Sequence, residues 1–375
     1  MVNPVRKIKR LLWIGGYPAA YTRKFIALID SHTELDVRYI FTPVLKMDII
    51  ERPYERGALS LKSVIYNKES RKKCNTIIKE YAADPHCGIL LWGLYPRILL
   101  RLAISLHKSR CFKLFFSDSN IADYGDSPAV YRIFYRWLMQ GFDVFLSIGS
   151  QNALYYRWLL GNECYNKKKI VDFAYPHCHT DFANSNRNPI ADTDTIHFLY
   201  LGRLSAIKNA NAIAHAVVLL LERGIQRFHL TIAGVGEESE QLAAIVQEKH
   251  IEKKVMLCGA VPSTETASVY QQNHIFILPS HSEPWGVVVN EAMSAGLPVI
   301  APLWAGAAVD LVITGYTGMK LTNNTPSAIA DAMQWYIENS AQIEVQSHLA
   351  REHIVKSGKN QDCCFKQFRS LFGEN

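Results

Sequence analysis

Ser280-His-Ser-Glu283-Pro-Trp285-Gly286-Val287-Val-Val-Asn290-Glu291-Ala-Met-Ser-Ala-Gly296-Leu-Pro298-Val-Ile300 is the stretch whose reading decides the fold. The apolar run before it, Ile275 to Leu278, has the length of a buried strand, which Pro279 and Ser280 end. Pro284 suits the first turn of a helix, and Gly296 and Pro298 suit its close. Strand, short loop and helix in that order mark α/β structure. Glu283 then falls on the loop and Glu291 inside the helix. Eight residues at about 100° each leave the two carboxylates roughly 80° out of line, so they are separate acceptors and not one metal clamp. The helix start, around Trp285 to Val287, offers backbone N–H groups that suit an anion or a ligand hydroxyl.

Upstream, the apolar strand His197 to Leu201 runs into Gly202-Arg203-Leu-Ser-Ala-Ile-Lys208-Asn209 and then a helix. Arg203 and Lys208 are thereby placed near the carboxyl end of a parallel strand, where open α/β sheets bind ligands. A guanidinium forks two phosphate oxygens and an ammonium adds a mobile point charge, so the pair suits neutralising a diphosphate without metal. The segments E-P-W-G and N-E-A-M-S-A-G-L-P-V-I resemble the E-x7-E signature of retaining GT-B glycosyltransferases of family four, glycosyl transferases group 1, and G-R-x4-K resembles that family's donor motif. The resemblance is strong over about Phe198 to Leu321 and loose before it.

That resemblance implies a GT-B fold, two Rossmann-like α/β domains facing a cleft, with a C-terminal helix crossing back to the first. It implies that Glu283 contacts the donor sugar, Glu291 holds the nucleotide ribose, and Arg203 and Lys208 bind the diphosphate. Helix-start amides of Trp285, Gly286 and Val287 would assist. The plainer alternative is a helix cap, a surface glutamate and two solvated cations. The flanking Trp-Gly, Gly-Leu-Pro and strands favour the functional reading.

Other turns carry weaker signals. Gly234-Val-Gly236-Glu-Glu-Ser239 follows a strand, but Ser239 stands where a dinucleotide fingerprint has its third glycine, which argues against a nicotinamide site. By resemblance it is a turn bordering the donor cleft; a tight turn needing glycine dihedrals accounts for it equally well. Gly259-Ala-Val261-Pro262 is similar to the turn whose backbone contacts the base in relatives. Gly15-Gly16, ending the strand from Leu11, lets backbone approach a phosphate or acceptor, and by resemblance faces the donor. Where the family often has His-Asp, this chain reads Phe116-Ser117-Asp118, so Asp118 either binds an acceptor hydroxyl or caps the next helix.

The chain has 375 residues, 49% hydrophobic and 20% charged, enough for two globular domains. Residues 1 to 190 hold 28 Lys and Arg against 16 Asp and Glu, a net +12, and the remainder is −5. The basic half attracts an anionic partner, such as a membrane surface, a lipid-linked acceptor or an acidic glycan, or is simply a solvated face. No recognised nucleic-acid motif appears, and no nucleic-acid partner is expected. No leader and no span of eighteen uninterrupted apolar residues is evident, and the eight cysteines form no C-x-x-C pair. The expectation is a cytoplasmic protein with reduced thiols, peripheral on the inner face of a membrane.

Buried-strand patterns at Leu11–Ile14, Leu35–Phe41, Ile89–Trp92, Leu114–Phe116 and Val144–Ile148 make the first domain α/β, and those at His197–Leu201, His229–Ala233, Val255–Leu257, Ile275–Leu278 and Pro298–Ala301 make the second. The polar tract from Asn184 to Asp194 reads as a linker. The expected division is an acceptor-side domain over 1–190, completed by a helix over about 350–375, and a donor domain over 191–349.

Asp192-Thr-Asp194 precedes a strand instead of following one, and the side chains of His177-Cys178-His179 point apart, so no metal is expected and no cofactor beyond the nucleotide-sugar substrate. In Arg97–Lys108 three cations oppose Leu99, Leu102 and Leu106, and Tyr131–Trp137 mixes aromatics with arginines. Core packing explains most of this, with binding at a membrane interface as the second reading. By resemblance the function is transfer of a sugar from a UDP- or GDP-sugar to a glycan or lipid-linked hydroxyl, with retention, in polysaccharide, lipopolysaccharide or glycolipid assembly. A sugar-nucleotide epimerase and a non-catalytic nucleotide-sugar-binding subunit are the alternatives.

Overall fold

The computed structural model describes residues 8–43, 59–124, 127–173, 182 and 195–373. The chain divides into two compact units. Among the described residues, the first runs to Phe173 and resumes at Gln361, and the second runs from Phe182 to Asn360. The expected boundary at 190 lies outside the described residues.

The first unit is built on seven parallel strands: β1 Arg10–Gly15, β2 Asp36–Phe41, β3 Ser63–Ile65, β4 Cys87–Trp92, β5 Phe112–Phe116, β6 Val144–Ser147 and β7 Lys169–Asp172. They lie in the order β3-β2-β1-β4-β5-β6-β7. Val, Ile, Leu and Phe fill the central strands because helices cover both faces of a parallel sheet and nearly every side chain there is buried. Leu99, Leu102 and Leu106 of the Arg97–Leu106 helix are buried while Arg97, Arg101 and Lys108 are exposed. The tail is two helices broken near Gly358: Ala341–Lys356 stays with the second unit, and only Gln361–Leu371 joins the first, later than the expected residue 350. There Phe365 and Phe368 meet the Phe25 ring edge-on at 6.3 and 6.0 Å.

The second unit has six parallel strands: β8 Ile196–Leu201, β9 Phe228–Ala233, β10 Val255–Gly259, β11 Ile275–Ile277, β12 Val299–Pro302 and β13 Gly318–Leu321. Their order is β10-β9-β8-β11-β12-β13, with its own core around Phe198, Ile213, Val217, Ile277 and Tyr336. In each unit the strand order reverses once, between β1 and β4 and between β8 and β11.

At the amino ends of β8 and β9, His197 and His229 are register partners with rings 5.8 Å apart, and the His274 ring lies 5.2 Å from His197. Burial, with added repulsion from His229, lowers the affinity of His197 for a proton, and burial with Lys254 does so for His229. Above the ordinary histidine pKa of about 6.5 both folded and unfolded chains hold these rings neutral and they contribute nothing to pH dependence. Below it the unfolded chain takes up protons that the folded chain refuses, so stability falls as the pH drops. The His229→Gln variant is expected to lose less melting temperature than the wild type between pH 7.5 and about pH 5 in paired thermal melts. A wild-type melting profile as flat as the variant's over that window would contradict this.

Candidate active site

The loops leaving β8 and β11 flank the reversal of strand order in the second unit, the place where open α/β sheets form a ligand crevice. They are tied to each other by backbone and amide contacts. The His281 N–H donates to the Ile207 carbonyl at 2.8 Å, and the Asn209 side-chain amide donates to the Pro279 carbonyl at 3.2 Å. Asn324 donates to the same carbonyl at 2.8 Å. A single 3₁₀ turn, Ala206–Lys208, precedes Asn209, whose left-handed φ of 55° turns the chain into the Ala210–Glu222 helix. That turn carries the Lys208 ammonium to 2.5 Å from Glu283 Oε2, with side chains only 20% and 9% exposed. Ser280 Oγ donates to the same carboxylate oxygen at 3.3 Å. Two residues 75 positions apart thus form one charged pair.

The Glu283 loop is held rigidly. The Gly306 and Ala307 N–H groups donate to the carbonyls of Glu283 and Trp285 at 3.1 and 2.8 Å. Gly286 has φ 92° and ψ 70°, outside any helix, so the helix begins at Val287 and Pro284 belongs to the loop instead of the first helical turn expected from the sequence. A Cβ at Gly286 would stand 3.0 Å from Glu283 Cγ, so glycine there serves the carboxylate's position as well as the turn. Trp285 is buried, its indole N–H donating to Asn290 Oδ1 at 2.9 Å, and Asn290 in turn donates to the Lys359 carbonyl at 2.9 Å. Its side chain is support beneath the loop.

Glu291 takes a different partner. The Tyr270 hydroxyl donates to Glu291 Oε2 at 3.0 Å, and burial together with the Glu291 charge holds that phenol protonated far above its usual range. Tyr270 was not visible as a site residue in the sequence, since it lies in a short helix, Thr266–Gln271, without any motif.

Arg203 follows β8 directly, and its carbonyl accepts the Tyr200 hydroxyl at 2.6 Å. Burial, then the charge of Glu283, raise the Tyr200 pKa far above that of a free phenol, while Arg203 opposes them, so these charges share one neighbourhood. The turns after β8, β9 and β10 are laced: Gly234 N–H donates to the Gly259 carbonyl at 2.7 Å, Leu204 N–H to Val235 and Glu238 N–H to Leu204, both at 3.0 Å. Val261 lies two residues beyond β10, half-buried at the same carboxyl edge of the sheet.

In the first unit the buried Gly15 ends β1 and the half-buried Gly16 follows it, and Asp118 is exposed beyond β5. The side chain that accepts an N–H at the next helix, from Ala122 at 2.8 Å, is that of Asn120. The pairs at 177–179 and 192–194 lie outside the described residues. Among the described residues no group of three His, Cys, Asp or Glu side chains is placed to hold a metal ion.

Residues 181–361 match the family model for glycosyl transferases group 1. That segment is a group 1 glycosyltransferase domain. All the paired site residues of the second unit lie within it. The chain is 27% identical over 186 residues to an uncharacterized glycosyltransferase, MJ1607, of Methanocaldococcus jannaschii, covering 47% of each. It is 28% identical over 167 residues to a glycogen synthase of Mycobacterium tuberculosis, 44% of this chain and 39% of that one. It spans less than half the length of these curated relatives. Among solved structures, Anabaena HepE in complex with UDP superposes with a TM-score of 0.72 at 14% identity, over 96% of this chain and 98% of that one. A glycosyltransferase of Rickettsia africae gives 0.69 at 14% identity, over 98% and 100%. The fold of the chain is therefore GT-B, as the sequence resemblance implied.

Proposed function

We propose that the chain transfers a sugar from a UDP- or GDP-sugar to the hydroxyl of a glycan or lipid-linked acceptor, with retention and without a metal. The observation that carries this reading is the Lys208–Glu283 pair at the carboxyl ends of β8 and β11, inside the group 1 segment. Lys208 and Arg203 neutralise the leaving diphosphate, aided by amides near Gly286 and Val287, while Glu283 accepts from the donor sugar and Glu291 from the ribose. The C–O bond to the diphosphate breaks, the acceptor oxygen bonds to the same face of the anomeric carbon, and its proton passes to the departing phosphate oxygen. Catalysis is then charge placement and positioning. Structural relatives solved with UDP and UDP-glucose support a nucleotide-sugar donor. The product is a polysaccharide, lipopolysaccharide or glycolipid, and the basic first half suits a place on the inner face of a membrane.

A panel of UDP- and GDP-sugars incubated without acceptor tests the reading. One donor is expected to raise the melting temperature and to release free sugar slowly. Neither binding nor hydrolysis of any donor would defeat it, and a sugar epimerised in place would mark the alternative chemistry.

A further inference from the structure

The Ala129–Gln140 helix of the first unit wears its apolar stripe on the outside. Val130, Ile133, Phe134 and Trp137 recur at the spacing of one helical face, and they are 77%, 67%, 36% and 43% exposed. Helices of a globular unit turn such a stripe inward, and core packing was the sequence expectation here. Inward instead go Leu138 and Met139, with Tyr131 and Tyr135 half-covered. The exposed stripe is continuous with a second helix, because the Trp137 ring lies 4.4 Å from that of His107 at the end of Arg97–Leu106. From that helix Ile104 is exposed beside Arg97, Arg101 and Lys108.

The charge along these two helices has one sign. No Asp or Glu occurs from Tyr95 to Lys113, from Ser127 to Phe142, or from Val144 to Asn162. Arg132 is exposed on the flank of the stripe, its guanidinium 5.8 Å from the Trp158 ring, and Arg157 follows on the neighbouring helix. Apolar side chains including a tryptophan, rimmed by arginines and lysines, are the composition of a surface that sits at the headgroup level of a bilayer. A second copy of the chain is disfavoured as the cover, since a two-fold contact sets this patch against itself and brings like charges together.

We propose that the face formed by the Ala129–Gln140 and Arg97–Leu106 helices docks on an anionic phospholipid bilayer. The stripe enters the acyl boundary and the cations hold lipid phosphates. This rests on the membrane-face element of the proposed function and gives it a surface. Among the described residues no helix is long and apolar enough to cross a membrane, so the contact lies in the plane of one leaflet.

Co-sedimentation of the full chain with phosphatidylcholine vesicles, with and without phosphatidylglycerol, tests it without using turnover. The wild type is expected to sediment with the anionic vesicles, to do so less in high salt, and to stay in solution with the neutral ones. Ile133→Asp/Trp137→Asp should bind at least about tenfold more weakly, as should Arg101→Glu/Arg132→Glu. All four positions are exposed or on the rim, so unchanged melting temperatures and donor hydrolysis accompany the expected result. Wild type that ignores anionic vesicles, variants that bind like wild type, or a wild-type dimer that Ile133→Asp/Trp137→Asp dissolves in gel filtration would each overturn the proposal. Lost vesicle binding with donor hydrolysis intact leaves the transferase reading standing, which keeps the two failures apart.

Discussion

Lys208→Ala is expected to lower sugar transfer by roughly ten- to a hundredfold, and further if its contact strengthens in the transition state. It should also lower the melting temperature. With Glu283 only 9% exposed, removing the ammonium leaves a carboxylate largely cut off from water, and breaking a fully buried pair costs about 3–5 kcal/mol, an upper bound for this partly open one. Glu283→Ala should cost as much activity and less stability, since Lys208 is the more exposed partner and its flexible stem reaches solvent. The double variant Lys208→Met/Glu283→Met separates the two effects. It removes both charges together and should recover most of the lost melting temperature while transferring no more sugar than either single variant. Thermal melts and donor hydrolysis on the three proteins decide the matter. Full turnover in Lys208→Ala and Glu283→Ala would remove the pair from the chemistry and leave it as a brace between two loops.

The second large effect is expected from Gly234→Ala. Its φ of 151° already excludes most side chains, and an added Cβ would stand 1.7 Å from the Gly202 carbonyl oxygen. The obstacle is backbone, so no side chain can swing aside. Gly202 precedes Arg203, and the turns after β8 and β9 exchange hydrogen bonds through Leu204, so relief must move the segment that bears the cations. A cost of several kcal/mol follows from overpacking together with a strained dihedral, or about 10 °C or more in melting temperature for a unit of this size. Any soluble fraction should bind donor poorly. An alanine variant that melts and binds like wild type would show that this turn gives way more easily than its contacts imply.

Much of this architecture was legible because buried parallel strands write themselves as unbroken apolar runs. Leu11–Ile14, Val144–Ile148 and His197–Leu201 differ from the observed strands by a residue or two. Ser63–Ile65, Lys169–Asp172 and Gly318–Leu321 did not stand out. They are three of the four outer strands, mostly half-buried and partly polar, and lack the continuous signal of strands covered on both faces. In the site, charged groups at strand ends were readable, and Lys208 and Glu283 do meet. What supports them was not. The Tyr270–Glu291 bond, the Asn290 bridge from Trp285 to Lys359 and the clamp of Gly306 on the Glu283 carbonyl are contacts of sequence-distant or unremarkable residues, fixed only by packing. The helix start was misplaced by Pro284 because a proline at the first turn and a proline in the preceding loop look alike, and the left-handed Gly286 decides between them.

The membership of the final helix has a bearing on how the chain is made. Among the described residues the second unit is a continuous stretch, finished once Asn360 has emerged from the ribosome, whereas the first, though begun before it, waits for Phe365 and Phe368 to cover Phe25. Premature termination just after Asn360 would therefore damage the unit made first of the two and spare the one made second.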